Sequence, residues 1–227
     1  MEKLLIIGAG YLAEEVVSFI QRYDLFEIIG FAVDTNYIKE EHMGYPVYNL
    51  KNIENGIDKN EAKIFIAISW YQYLNKYKRE KYDELKAKGF HFANLISPSA
   101  TVLSQDIGEG NWIDDQVYIA YGSSIGSNNT FRPCSYVAHH SSIGNHNVLS
   151  IKSTICGSVT MGDCSFIGAS ALVFNKVRIG NKCIVGGGAI AKRDLLDYSM
   201  VVASDCYIKQ CDENSIEKYI SLEHFQK

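Results

Sequence analysis

Two groups of residues in this chain have types and spacing that chemistry can use. Gly8-Ala9-Gly10-Tyr11-Leu12-Ala13 fits a G-x-G-x-x-A pattern directly after an apolar run, Leu4-Leu5-Ile6-Ile7. Glycines at such a turn let the backbone approach a phosphate, and a helix starting there offers free N–H groups and a positive dipole end. Asp34 closes the next apolar run, where it serves equally as a ribose or base ligand or as a solvated strand end. The same glycines also suit a tight strand–helix turn with nothing bound. The second group is His139-His140. Imidazole is the side chain matched to accepting a proton near pH 7. An attacking amine or hydroxyl needs such an acceptor, yet two adjacent histidines on a turn are, by themselves, more often simply solvated.

Other chemistries are excluded more directly. The six cysteines, Cys134, Cys156, Cys164, Cys183, Cys206 and Cys211, contain no C-x-x-C pair, so they read as reduced thiols rather than as a disulfide framework or a structural zinc site. The charge sum is 22 − 26 = −4 with no long basic run, which argues against non-specific nucleic-acid binding. The chain from Met1 is apolar for only a few residues before Gly8, and no stretch approaches the ~20 apolar residues of a membrane span. The expectation is a soluble, cytoplasmic protein with no membrane partner. At 227 residues and 47% apolar composition, the chain has room for one large or two small domains with a real core.

The elements that must carry the first group read as a small α/β unit. After the strand ending at Gly8, residues Ala13, Val16, Val17 and Ile20 recur at helical spacing up to about Tyr23. Residues 26–33 and 62–68 predict further strands, 73–88 a helix that stops at Gly89, and 90–96 a last strand. The order implies a parallel sheet covered by helices. About 95 residues and four strands make half of a dinucleotide fold, which disfavours a nicotinamide dehydrogenase and favours a single nucleotide handle.

The histidine pair lies in a different pattern. Counting in sixes from Ile107 to Val185 gives fourteen positions, all apolar; at this composition the chance of that is on the order of 10⁻⁵. Glycine follows in seven of the fourteen, and the fifth place of the hexad is small at Ser123, Ser135, Ser141, Ser153, Ser165 and Ala171. Neither a helical period nor simple strand alternation produces this. Hexads stack short strands and tight turns into a parallel β-helix whose coils bury one another's aliphatic rows. An uninterrupted register of this length makes roughly four to five coils at three hexads each. After Lys192-Arg193-Asp194, a short C-terminal helix with Ile216, Tyr219 and Ile220 on one face would cap the open end. The division is a Rossmann-like domain over 1–96, a β-helix domain over 97–207 and a helical cap over 208–227.

A G-A-G strand–helix unit joined through Asn94-Leu95-Ile96-Ser97-Pro98-Ser99-Ala100 to an uninterrupted hexapeptide array resembles the family of the sialic acid O-acetyltransferase NeuD and the sugar N-acetyltransferase PglD. The likeness runs to about Ser204. It implies a left-handed β-helix, a homotrimer, acetyl-CoA as acyl donor bound between adjacent β-helices, no metal, and a nucleotide-linked amino sugar held by the N-terminal domain. By the same likeness His139 takes the position of the catalytic base, followed by His140 where the family carries an acidic residue. A second family histidine, associated with the coenzyme, falls on Val148, with His146 two residues away. Gly157 matches the glycine whose N–H faces the thioester carbonyl, and Gly187, with Lys192 nearby, the coenzyme path. Gly8, Gly10, Tyr11, Asp34 and Ser69 are the corresponding nucleotide-sugar candidates. The family's closing Gly-x-Pro-Ala-Lys is replaced here by Ser204-Asp205-Cys206-Tyr207.

These expectations converge on an acyl-CoA-dependent N-acyltransferase acting on a nucleotide-linked amino sugar in surface-glycan synthesis. O-acetylation of a sialic acid or similar sugar is the alternative within the class. A non-catalytic β-helix that binds a nucleotide sugar is the alternative outside it.

Overall fold

The computed structural model describes residues 1–68 and 74–204. Ser69 and the C-terminal helix expected over 208–227 lie outside the described residues. The chain opens with β1 (Lys3–Ile7), α1 (Tyr11–Tyr23), β2 (Glu27–Val33), β3 (Glu41–His42), β4 (Tyr45–Asn49), β5 (Ala62–Ile66) and α2 (Lys76–Ala87). The first sheet has the order β3-β4-β2-β1-β5, parallel except for the β3–β4 hairpin. Leu4 to Ile7 are fully buried, as a strand covered on both faces requires. The spaced apolar residues of α1, Ala13, Val16, Val17 and Ile20, are all buried against it.

Two local expectations are corrected, and one hairpin is added. The β3–β4 hairpin was not legible, because neither strand is apolar or strictly alternating; β4 pairs with the edge of β2 instead. Helix α2 starts at Lys76, behind an N-cap Asn75 in the left-handed region. Residues 90–96 do not form one strand. Phe92 makes a single bridge to Ile64, and Asn94 then turns the chain, accepting from the Asn111 N–H and donating to the Gly108 carbonyl, both at 2.8 Å. Leu95 and Ile96 consequently pair with Trp112 and Ile113 in the β-helix.

From there the chain winds a left-handed parallel β-helix of two-residue strands. From the strand at Asp106–Ile107 to that at Ile190–Ala191, each strand pairs in register with the one 18 residues on, as Thr130 does with Val148 and Val148 with Phe166. The outermost pairings, Leu95 with Trp112, Thr101 with Tyr118 and Ile184 with Met200, are one or two residues shorter. Three faces result. Face one has seven strands from Leu95–Ile96 to Met200–Val201, face two has six from Thr101–Val102 to Ile190–Ala191, and face three has five from Asp106–Ile107 to Arg178–Ile179. The expected inward row is the core. Ile113 through Val185 are buried at every sixth position, and only Ile107 on the first coil is half-buried. No described helix is long and apolar enough to cross a membrane.

Two details of the coil explain the rest of the hexad. A Cβ on Gly144 would lie 2.3 Å from Asp163 Oδ1 and 2.8 Å from the Gly162 carbonyl oxygen, so successive coils approach too closely there for any side chain. Inside the corner between faces three and one, a polar ladder replaces apolar packing. Asn129 Oδ1 accepts from the Asn147 N–H at 2.8 Å, Asn147 Oδ1 from the Ser165 N–H at 2.7 Å, and Asn147 Nδ2 donates to the Gly162 carbonyl at 2.9 Å. Asn147 is fully buried. Replacing it by alanine leaves one buried N–H and one carbonyl unpaired, each worth ~1–3 kcal/mol. Asn147→Ala should therefore lower the urea midpoint by the equivalent of about 2–4 kcal/mol, whereas the exposed Lys152→Ala should leave it nearly unchanged.

Candidate active site

His139 and His140 lie at the corner between faces two and three, after the strand Tyr136–Val137 and before Ser142–Ile143. His140 occupies the left-handed turn position (φ 56°) that Gly122 and Ser158 occupy one coil before and one coil after. The two imidazoles therefore point in opposite directions along the corner. His140 lies over Gly122, where a Cβ would come within 3.0 Å of its ring, with Tyr121 edge-on at 6.3 Å. His139 lies over Gly157, where a Cβ would sit 2.8 Å from both Cε1 and Nε2. Their Nδ1 atoms meet at 3.1 Å, and both side chains are exposed.

That contact has a direct consequence. One Nδ1 must carry the proton. With His139 donating, its Nε2 holds a lone pair, which is the form a general base requires. Gly157 is brought beside His139, but as a seat for the ring. Its N–H donates to Asn175 Oδ1 at 2.9 Å, an in-corner contact like those of the asparagine ladder. The N–H expected to face a thioester carbonyl is therefore engaged by Asn175 in this structure. Asn175, Tyr121 and Gly122 went unread in the sequence; counting one coil of 18 residues in either direction from the histidines and Gly157 finds them.

The glycine turn lies elsewhere. Gly8, Gly10 and Tyr11 line a cleft of about 760 Å³ between the first domain and the β-helix, closed on the far side by Arg132, Pro133, Ser150, Ile151 and Phe166. Gly8 is required by the fold, because it has φ +107° and its Cβ would strike the Ala67 carbonyl at 2.8 Å. Gly10 is not: its φ is −102°, and nothing lies within 4 Å of a Cβ there. It caps α1 without a side-chain hydrogen bond, so the helix N-terminus faces the cleft. Tyr11 is 91% exposed at its rim. Asp34 does not line this cleft; its carboxylate accepts from Lys81 Nζ at 2.8 Å on the surface.

The remaining expected residues separate. Gly187 is exposed at the corner between faces one and two, and Lys192 lies at the end of face two with Nζ 5.7 Å from the Phe174 ring. His146 is corrected from a coenzyme contact to a contact between domains. It is 7% exposed at the third corner, packs edge-on to Tyr82 of α2 at 5.3 Å, and has Nδ1 2.9 Å from Asn128 Nδ2. Burial lowers its pKa to about 4, with Asp83 opposing the shift and Lys78 adding to it. Among the described residues no group of three or more His, Cys, Asp or Glu converges. Cys134, Cys156, Cys164 and Cys183 are free thiols.

Residues 3–85 match the family model of the PglD N-terminal domain. The whole architecture is similar to a variant of perosamine N-acetyltransferase from Caulobacter crescentus, solved with CoA and GDP-perosamine. The identity is 26% and the TM-score 0.76, over 93% of this chain and 98% of that one. It is also similar in fold to the acetyltransferase domain of PglB from Neisseria gonorrhoeae in complex with acetyl coenzyme A (22% identity, TM-score 0.76, 88% and 95% coverage). WeeI from Acinetobacter baumannii matches equally (23%, 0.75, 89% and 97%). No curated protein sequence matches the chain.

The depressed His146 pKa has a testable sign. The imidazole is neutral in the fold down to about pH 4 but takes up a proton near pH 6.5 once unfolded. Its contribution to stability is thus intact above pH 6.5 and is lost as the pH falls from there to about 4. Urea midpoints taken from pH 7 to pH 4.5 should fall more steeply for the native chain than for His146→Leu; parallel slopes would refute the assignment.

Proposed function

We propose that this chain, a NeuD/PglD-like β-helix protein, transfers an acyl group from acyl-CoA, acetyl-CoA first of all, to the amine of a nucleotide-linked sugar. The class rests on the solved perosamine N-acetyltransferase, with which it shares both domains along nearly the whole length. The carrying observation is the seated His139, with its Nδ1 held 3.1 Å from His140 Nδ1; when His139 donates in that contact its Nε2 is the acceptor. The sugar amine attacks the thioester carbonyl, forming the C–N bond while Nε2 of His139 takes the amine proton. The tetrahedral intermediate then expels the CoA thiolate, which recovers that proton from the imidazolium. A carboxylate beside the base would stabilise the imidazolium more than His140 can. His140 contributes instead by holding the tautomer.

The cleft suits the nucleotide. A volume of about 760 Å³ lies within the range of small-molecule sites, and the free helix N-terminus favours a diphosphate. The cleft and the histidines belong to different corners of one prism, one hexad apart along face two, which at full extension is roughly 20 Å. A homotrimer would close this gap by setting the cleft of one subunit against the His139 corner of the next. Face two offers an apolar surface for that assembly, with Tyr118 stacked on Tyr136 at 5.1 Å and Ile190 46% exposed. A role in surface-glycan synthesis follows from the substrate class.

Three measurements test this. His139→Ala should lower kcat by ~10²–10⁴ with substrate binding nearly unchanged. His140→Ala should cost less, and His140→Glu should retain activity with the acidic limb of its pH–rate curve moved upward. The reverse ranking would place the base at His140. Gly10→Val should fold normally, because its Cβ enters open space, yet lose nucleotide-sugar affinity while acetyl-CoA binding is preserved. Co-expressed His139→Ala and Gly10→Val subunits should then regain activity that neither has alone, since mixed trimers contain sites with an intact cleft facing an intact base. Absence of any recovery would place the site within one subunit.

A further inference from the structure

The two domains meet over face one through a seam with an apolar centre and a polar pin on either side. At the centre Trp112, 2% exposed, receives Phe19 of α1 and Phe65 of β5 edge-on at 5.6 and 6.4 Å. On the cleft side Arg132 stacks on Trp112 and pairs with Glu15 of α1 and with Asp114. The pin on the far side is of another kind. Lys78 of α2 is 2% exposed, and its Nζ donates to the Asn128 carbonyl at 3.1 Å and to Thr130 Oγ1 at 3.2 Å. Beside it, Asn75 Nδ2 donates to the His146 carbonyl at 2.8 Å, while Asn75 Oδ1 and Asn128 Oδ1 are buried without a partner.

A buried lysine ordinarily faces a carboxylate. Here both acceptors are neutral, and no ion pair of Lys78 occurs among the described residues. The charged and titratable groups around this pin are Arg79, Tyr82 and Asp83 on α2, His146 and Asp163 on the corner, and Glu109. Glu109 is already engaged by Lys86 and Tyr82. Such a pin contributes direction more than energy. It holds α2 at one angle on the corner, and the cleft across the seam has walls from both domains, Ala67 and Ile68 from one and Arg132, Pro133 and Ile151 from the other, so that angle sets its width.

We infer that Lys78 is a positioning residue for the nucleotide-sugar cleft, docking the N-terminal domain on the β-helix through two hydrogen bonds to neutral acceptors. The inference rests on the proposed function for its kinetic consequence but not for the docking itself. Burial lowers the Lys78 pKa to about 7, against about 10.4 for a lysine released to water. The undocked form binds more protons between those values, so docking strengthens as the pH rises from 7 towards 10. The limiting slope is about tenfold per pH unit.

Cys164 reports this directly. It is 3% exposed in the seam, with Arg79 Nη1 3.8 Å from its sulfur. Site-resolved thiol labelling, corrected for the reactivity of a denatured control at each pH, should show Cys164 protection rising about tenfold per unit from pH 7.5 to 9 in the native chain. It should be flat in Lys78→Met, which keeps the stem and removes the titrating amine. Equal slopes in the two proteins would overturn the docking. In steady-state assays Lys78→Ala should raise KM for the nucleotide sugar about tenfold or more while KM for acetyl-CoA and kcat change less than about threefold. A uniform loss of all three, or no change in the nucleotide-sugar KM, would refute the positioning role. If no nucleotide-linked amino sugar is turned over at all, the proposed function fails, while the labelling still decides the docking.

Discussion

The return of the chain to the same place every 18 residues governs this molecule. A two-residue strand has almost no stability alone, so each is held by register with its neighbours above and below, as Val148 is by Thr130 and Phe166. Register of that strictness turns sequence position into spatial column. Aliphatic residues at every sixth place form one dry core. Glycine stands where successive backbones come closest, as at Gly144 under Asp163 and Gly162. Left-handed turn positions recur at Asn128, His146 and Cys164, one coil apart.

Function takes advantage of the same columns. The corner with His139 needs a residue without a side chain one coil above, and Gly157 supplies it; His140 needs the same one coil below, and Gly122 supplies that. A rigid solenoid turn can hold two imidazoles Nδ1 to Nδ1 at 3.1 Å without a helix or a long loop. Rigidity of this sort is what positions a base before substrate arrives. The cost is that a prism presents its corners outward and apart, so the His139 corner and the cleft do not meet within one prism. In the proposed reaction a site assembled from two copies would resolve this and would make assembly part of catalysis.

The seam answers the complementary problem of setting a compact α/β domain at a defined angle on a flat face. Trp112 provides area and the pins provide direction. Arg132 does so with paired carboxylates, and Lys78 with neutral acceptors. His146 shares in the second pin, and for that reason its imidazole is dry and its pKa low.

Periodicity was enough to read the β-helix, because the inward row from Ile113 to Val185 is a local consequence of which residues can be buried every six positions. The first strand, α1 and the glycine turn were legible for the same reason, and the paired histidines were visible as chemistry with the family likeness giving them roles. What the sequence could not contain was contact between distant segments. The β3–β4 hairpin depends on the free edge of β2, and the turn at Asn94 on the backbone of the first coil. Whether the Gly157 N–H is free depends on Asn175, a full coil away. Only the docking of α2 moves His146 from a coenzyme candidate to a buried interdomain residue. Spacing along the chain determined the repeat and its columns; which column faces another domain, and so which polar groups are desolvated, was decided by tertiary packing, because desolvation is a property of neighbours and not of order.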